Sequence, residues 1–163
     1  MKYARFEQLP VWNAAIELAE EIYSLTAQKA FLRQRSLRDQ LERAAVSVSN
    51  NIAEGFERGT TQELLTYLYI ARGSAGEVRS MLCLLERLPV FSDLKSQISN
   101  LKSKAENISR QLRGWADSLQ NSTIKGQRHL TEKVRRMESA RRQREEFLRE
   151  LRGEQPGPEV ARE

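Results

Sequence analysis

Between residues 125 and 144 the chain sets Lys125, Arg128, Lys133, Arg135, Arg136, Arg141, Arg142 and Arg144 against only two carboxylates, Glu132 and Glu138. Cations at this density neutralise phosphates, and each phosphate neutralised releases counterions and steepens the salt dependence of binding. Phe147 is the only Phe, Tyr or Trp after residue 121. Base stacking on single strands needs rings interleaved with charge, so this composition points instead to backbone and shape contacts on structured RNA. A weaker stripe lies upstream, where Lys95, Lys102 and Arg113 fall nearly in line at helical spacing with Arg110 beside them. Glu106 and Asp117 interrupt it, and either set also reads as a solvated helix face.

Residues for catalysis are sparse. His129 is the single histidine and has no Cys or carboxylate cluster at metal-ligand spacing around it. Cys83, the single cysteine, sits among leucines and reads as a buried, inert thiol in a reducing cytoplasm. The run Gly73-Ser74-Ala75-Gly76 is embedded in helical periodicity and follows no strand, so it is not a phosphate-cradling loop. Glu54 and Glu77 are the only carboxylates in company that suggests acid–base work. The plainer reading is a polar seam in which they hold Arg43, Asn51, Arg72 and Ser74 between two helices. Removing one partner of a buried polar set costs about 3 kcal/mol or more, which is reason enough for such residues. No catalytic group, metal site or cofactor is expected.

These residues need helices to position them. Arg58-Gly59-Thr60 punctuates the middle of the chain: Gly59 is suited to a left-handed helix stop, and Thr60 with Glu63 forms a capping box for the next helix. Small residues flank this turn, among them Ala44, Ala45, Ala53 and Gly55 before it and Ala71, Gly73, Ala75 and Gly76 after it. A glycine inside a helix costs about 1 kcal/mol relative to alanine, so Gly73 and Gly76 are expected where two backbones approach closely.

The apolar residues repeat at alternating spacings of four and three. The first helix starts near Pro10 and carries Val11, Ala15, Leu18, Ile22 and Leu25; the second carries Leu37, Leu41, Ala44, Val48 and Ile52. The third, from about Thr61 to Leu88, carries Leu64, Leu68, Ala71, Ala75, Val78, Leu82 and Leu85, and Pro89 ends it. A further row of Tyr67, Ile70, Met81, Leu84 and Leu88 makes it the widest apolar helix, hence central, with surplus width that suggests self-association. Leu94, Ile98, Leu101, Ala105, Ile108, Leu112, Trp115 and Leu119 mark the fourth. Phe31 and Leu32 are candidate anchors over the bundle end, and Trp12, Tyr23, Tyr67 and Tyr69 are expected in core or subunit interface. The fold class is therefore all-α: an antiparallel up-down four-helix bundle over residues 1–121. A basic helical extension over 122–152 and a disordered tail over 153–163 follow it.

The whole chain, 163 residues, holds 27 Lys and Arg against 22 Asp and Glu, a net charge of +5. Residues 1–121 contribute 16 basic and 14 acidic groups, so the excess is concentrated after the bundle. The sequence has no apolar run long enough for a membrane span, and its first residues lack a signal peptide's apolar core. A soluble, cytoplasmic protein is expected.

Asn51–Gly55 (NIAEG), Ile70–Ser74 (IARGS), the set Gln40, Arg43, Ala44, Ala45 and Ser47, and the early Leu9, Val11, Trp12 and Ala15 together resemble the small bacterial four helix bundle protein family over roughly residues 3 to 120. That family includes proteins encoded in intervening sequences of large-subunit rRNA and the accessory variability (Avd) proteins of diversity-generating retroelements. The resemblance implies a ring-shaped homopentamer. Within the family, the net positive charge and basic extension favour an Avd-like accessory protein that binds a reverse transcriptase and its template RNA during mutagenic cDNA synthesis. The alternatives are an rRNA intervening-sequence protein of unclear role and a purely structural oligomer.

Overall fold

The computed structural model describes residues 3–121 and, beyond them, residues 143, 144 and 148. The chain divides into two units, Met1–Arg128 and His129–Glu163. The first holds four helices: α1 (Pro10–Thr26), α2 (Arg35–Glu57), α3 (Thr61–Arg87) and α4 (Lys95–Gln120). Each is joined to the next by a short connector, two of which contain a 3-10 turn, at Lys29–Phe31 and Pro89–Leu94. Among the described residues the second unit contributes only Gln143, Arg144 and Leu148, all helical and exposed.

Local chemistry accounts for most of the boundaries. Pro10 occupies the first turn of α1, where its missing amide hydrogen is not needed. Thr60 and Glu63 form the reciprocal capping box of α3: the Glu63 amide donates to Thr60 Oγ1 at 3.2 Å and the Thr60 amide to Glu63 Oε2 at 3.3 Å. Gly59, however, is not the left-handed stop that its type suggests. Arg58 closes α2 with extended backbone (φ −69°, ψ 148°), its amide donating to the Glu54 carbonyl at 3.1 Å. Its guanidinium secures the turn from outside by reaching both α2 and α3, as described below.

The helices follow one another around the bundle, α1 packing on α2 and α4, and α3 packing more extensively on the same two. The four-three pattern names the core well. Leu18, Ile22, Leu41, Ile52, Leu64, Leu68, Leu82, Leu85, Ile98 and Leu101 are all fully buried. Near the end of α4 Ala116 takes the inward position and Trp115 is half-buried, because a 3.6-residue helix drifts out of a seven-residue repeat. Phe31 and Phe91 are buried in the two connectors with ring centroids 4.7 Å apart, and Gln28 Nε2 donates to Gln97 Oε1 at 2.9 Å. Leu32, expected as an anchor, is 71% exposed instead, since Phe31 alone fills the space.

Other expectations are corrected by how α3 is rotated. Cys83 lies on the outer surface, not in the core. Ile70, Leu84 and Tyr69 are exposed on the same helix and Tyr23 is exposed on α1, whereas Tyr67 is half-buried and Met81 and Leu88 pack partly buried against the core. Trp12 is half-buried and packs edge-on against Phe6 at 5.1 Å. The close approach of backbones is at Gly55, where a Cβ would lie 2.7 Å from Tyr67 Cβ; Gly73 and Gly76 face open space.

Candidate nucleic-acid interface

The α2–α3 seam decides which polar residues are structural. The two helices run antiparallel in a register that brings Ser47 opposite Ser74, their hydroxyl oxygens 2.9 Å apart. Asn51 Nδ2 donates to the Ser47 carbonyl at 2.7 Å and to its hydroxyl at 3.0 Å, and Ser74 Oγ donates to the Ile70 carbonyl at 3.2 Å. Ser74 and Asn51 thus do join a seam, with Ser47 as its hub. Nothing in the sequence marks Ser47 as that hub, because the pairing depends on interhelical register.

The remaining seam residues are elsewhere. Glu54 is exposed and pairs with Arg58 at 2.5 Å, while Arg58 Nη2 donates to Tyr67 Oη at 2.8 Å with its guanidinium 5.1 Å from the Tyr67 ring centre. Hydrogen bonding to Tyr67, then to Arg58, holds the Glu54 carboxyl below its ordinary range. Arg43 and Glu77 are exposed and line an open groove of about 520 Å³ between α2 and α3, together with Gln40, Ala44, Ser80 and Met81. Neither of them, nor half-buried Arg72, joins Glu54. The proposed bridging of Glu54 and Glu77 to Arg43 and Arg72 across the seam is therefore replaced by the turn pair Glu54–Arg58. Among the described residues no group of three or more His, Cys, Asp or Glu is arranged to hold a metal ion.

Of the basic residues expected on α4, three carry a carboxylate partner. Lys102 Nζ meets Glu86 of α3 at 2.6 Å, which raises the lysine above its ordinary value. Arg110 meets Glu106 at 2.7 Å, and Arg79 of α3 meets the other oxygen of Glu106 at 3.6 Å. Arg110 first, then Arg79, lowers the Glu106 carboxyl. Arg113 lies 3.7 Å from Asp117. Lys95 is exposed and has no such partner among the described residues. A polar groove of about 440 Å³ between α3 and α4 contains Lys102, Arg79, Glu106, Ser99, Ser103 and Cys83. Lys104, not singled out from the sequence, ties α4 to Glu21 of α1. Solvent screening weakens pairs of this kind, so their cations can be exchanged onto a phosphate at little cost.

Lys125, Arg128, Lys133, Arg135, Arg136, Arg141 and Arg142 lie outside the described residues; Arg144 is helical and exposed. No described helix is long and apolar enough to cross a membrane. The arrangement offers charge and hydrogen bonding on a packed helical frame, which suits binding.

Comparison with known proteins agrees with this frame. A protein of unknown function from the S23 ribosomal protein family of Bacteroides thetaiotaomicron has the same fold, with a TM-score of 0.58 and 22% identity, covering 65% of this chain and 97% of its own. Among curated proteins, none matches the sequence. The model of the 23S rRNA-intervening sequence proteins matches residues 7–114, from just before α1 to the last third of α4. The bundle is thus accounted for nearly end to end, and the chain belongs to the 23S rRNA-intervening sequence protein family.

Proposed function

We propose that this chain is a non-catalytic, cytoplasmic RNA-binding bundle whose ligand is structured RNA of the large ribosomal subunit. The observation that carries the reading is the excess of eight cations over two carboxylates within residues 125–144, directly after the bundle. The family's name, which ties it to 23S rRNA, supports it. In this reading residues 122–152 form a helical extension that orders on RNA, residues 153–163 are a tail, and the α4 cations add contacts. The bundle works as a homo-oligomer; exposed Ile70, Leu84 and Tyr69 beside open Gly73 and Gly76 on α3 support a subunit contact there. The test is affinity for an rRNA hairpin between about 50 and 200 mM salt, for the full chain and for a truncation after Asn121. Binding that weakens steeply with salt and is largely lost on truncation is expected. A flat salt response, or a truncation that binds as well, would overturn the reading.

The same charge excess also suits a second reading, an Avd-like adaptor that holds template RNA against a reverse transcriptase as a homopentamer. Co-purification from the host separates the two. Recovery of rRNA favours the first; recovery of a reverse transcriptase with its template favours the second.

A further inference from the structure

The up-down topology brings the α1–α2 and α3–α4 connectors to the same end of the bundle, and this end is strongly cationic. Residues 27–40 and 87–95 together hold six basic groups and two acidic ones. Five of the six, Lys29, Arg33, Arg35, Arg87 and Lys95, are exposed and pair with no carboxylate among the described residues; Arg38 is held by Asp39 at 3.0 Å. Among the described residues the opposite end is different. There Arg5 is paired with Glu7, Arg58 with Glu54 and Arg113 with Asp117, while exposed Glu57 is left over. Antiparallel packing sets two helix N-termini beside two C-termini at each end, so the helix dipoles largely cancel and the side chains set the field.

The cationic end is also held rigid. Phe31 against Phe91 joins the two connectors and the Gln28–Gln97 hydrogen bond ties the first of them to the start of α4, so cations some sixty residues apart in sequence share one platform. Like charges gathered without partners repel one another, a penalty that a polyanion would remove. Three of the five are arginines, whose planar fork fits phosphate oxygens two at a time. A platform fixed in advance loses little freedom on binding.

We infer that this connector end is a second phosphate-binding surface, built into the bundle and separate from the basic segment after it, and that it grips the backbone of structured RNA. The inference rests on the RNA-binding reading above and adds a site to it. The test is a K29Q/R33Q/R87Q variant of the full chain, with Arg5→Gln at the opposite end as control, titrated with an rRNA hairpin at several salt concentrations. Losing three phosphate contacts lowers the salt slope by about 2–3 and the affinity at 0.1 M salt on the order of a hundredfold. The variant's melting temperature should equal or exceed that of the unmodified chain, since only exposed, mutually repelling groups are neutralised. If the unmodified chain binds RNA and the variant binds with the same affinity and slope, this surface is overturned while the RNA-binding reading stands. If the unmodified chain binds no RNA, both fall. Preference for a polyglutamate peptide over the hairpin, lost in the variant, would overturn the inference in favour of a protein partner.

Discussion

Gly55→Ala and Gly73→Ala add the same methyl group to neighbouring helices and should move stability in opposite directions. Both gain about 1 kcal/mol of helix propensity over glycine. At Gly73 nothing lies within 4 Å of the new carbon, so that gain stands. At Gly55 the new carbon would lie 2.7 Å from Tyr67 Cβ and 3.2 Å from Leu64 Cδ1. The leucine methyl can rotate away. Tyr67 Cβ is one bond from the α3 backbone, so relief there requires α2 and α3 to separate. Overpacking of this kind costs about 1–3 kcal/mol, and a rigid obstacle puts the case at the upper end. The expected net loss at Gly55 is about 2 kcal/mol, leaving the two variants about 3 kcal/mol apart. With a urea m-value of about 2 kcal/mol/M, their midpoints differ by about 1.5 M. Urea unfolding followed by helical circular dichroism on dilute full-length protein measures this directly. A Gly55→Ala variant as stable as the unmodified chain would show that the helices do not meet there.

Thr60→Ala removes the side-chain half of the α3 capping box and should cost about 1 kcal/mol in the same assay. Cys83 should react stoichiometrically with a thiol reagent under native conditions, since it lies on the outer face of α3; protection until unfolding would contradict that placement. Glu54 and Glu106 have folded-state values below the ordinary 4.5. Their pairs therefore contribute stability that is present above that pH and is lost as the pH falls through their lowered values. Lys102, raised above 10.5 by Glu86, contributes in the opposite sense: its share is present below that pH and is lost as the pH rises through its raised value. Melting temperatures of the unmodified chain and of Glu106→Gln, compared from neutral to acid pH, should converge at the acid end.

What the sequence disclosed were features that act within a few residues. Pro10 at a helix start, Thr60 with Glu63, and the four-three recurrence of Leu64, Leu68, Ala71, Ala75 and Val78 each follow from local geometry, and each is where it was expected. What it concealed depended on rotation or on chain reversal. Gly55 and Gly73 look alike as letters, and only the rotation of α2 and α3 decides which one meets a neighbour. Cys83 sits between buried Leu82 and exposed Leu84, so its company in sequence did not report its side of the helix. The carboxylate partners of Lys102 and Lys104 come from α3 and α1, so no spacing along α4 reports them. Lys29, Arg33 and Arg87 were overlooked for the same reason: they gather only once two connectors have been folded to one end.

The contact between the rings of Phe31 and Phe91 has a consequence for how the molecule comes apart. α1 is the helix least engaged with its neighbours, and one of its ends leads straight into the connector that Phe31 pins. Peeling α1 away therefore means pulling a phenyl ring out from under the α3–α4 corner, which exposes the centre of the fold at the same moment. Loss of α1 is in this way coupled to loss of the α3–α4 corner.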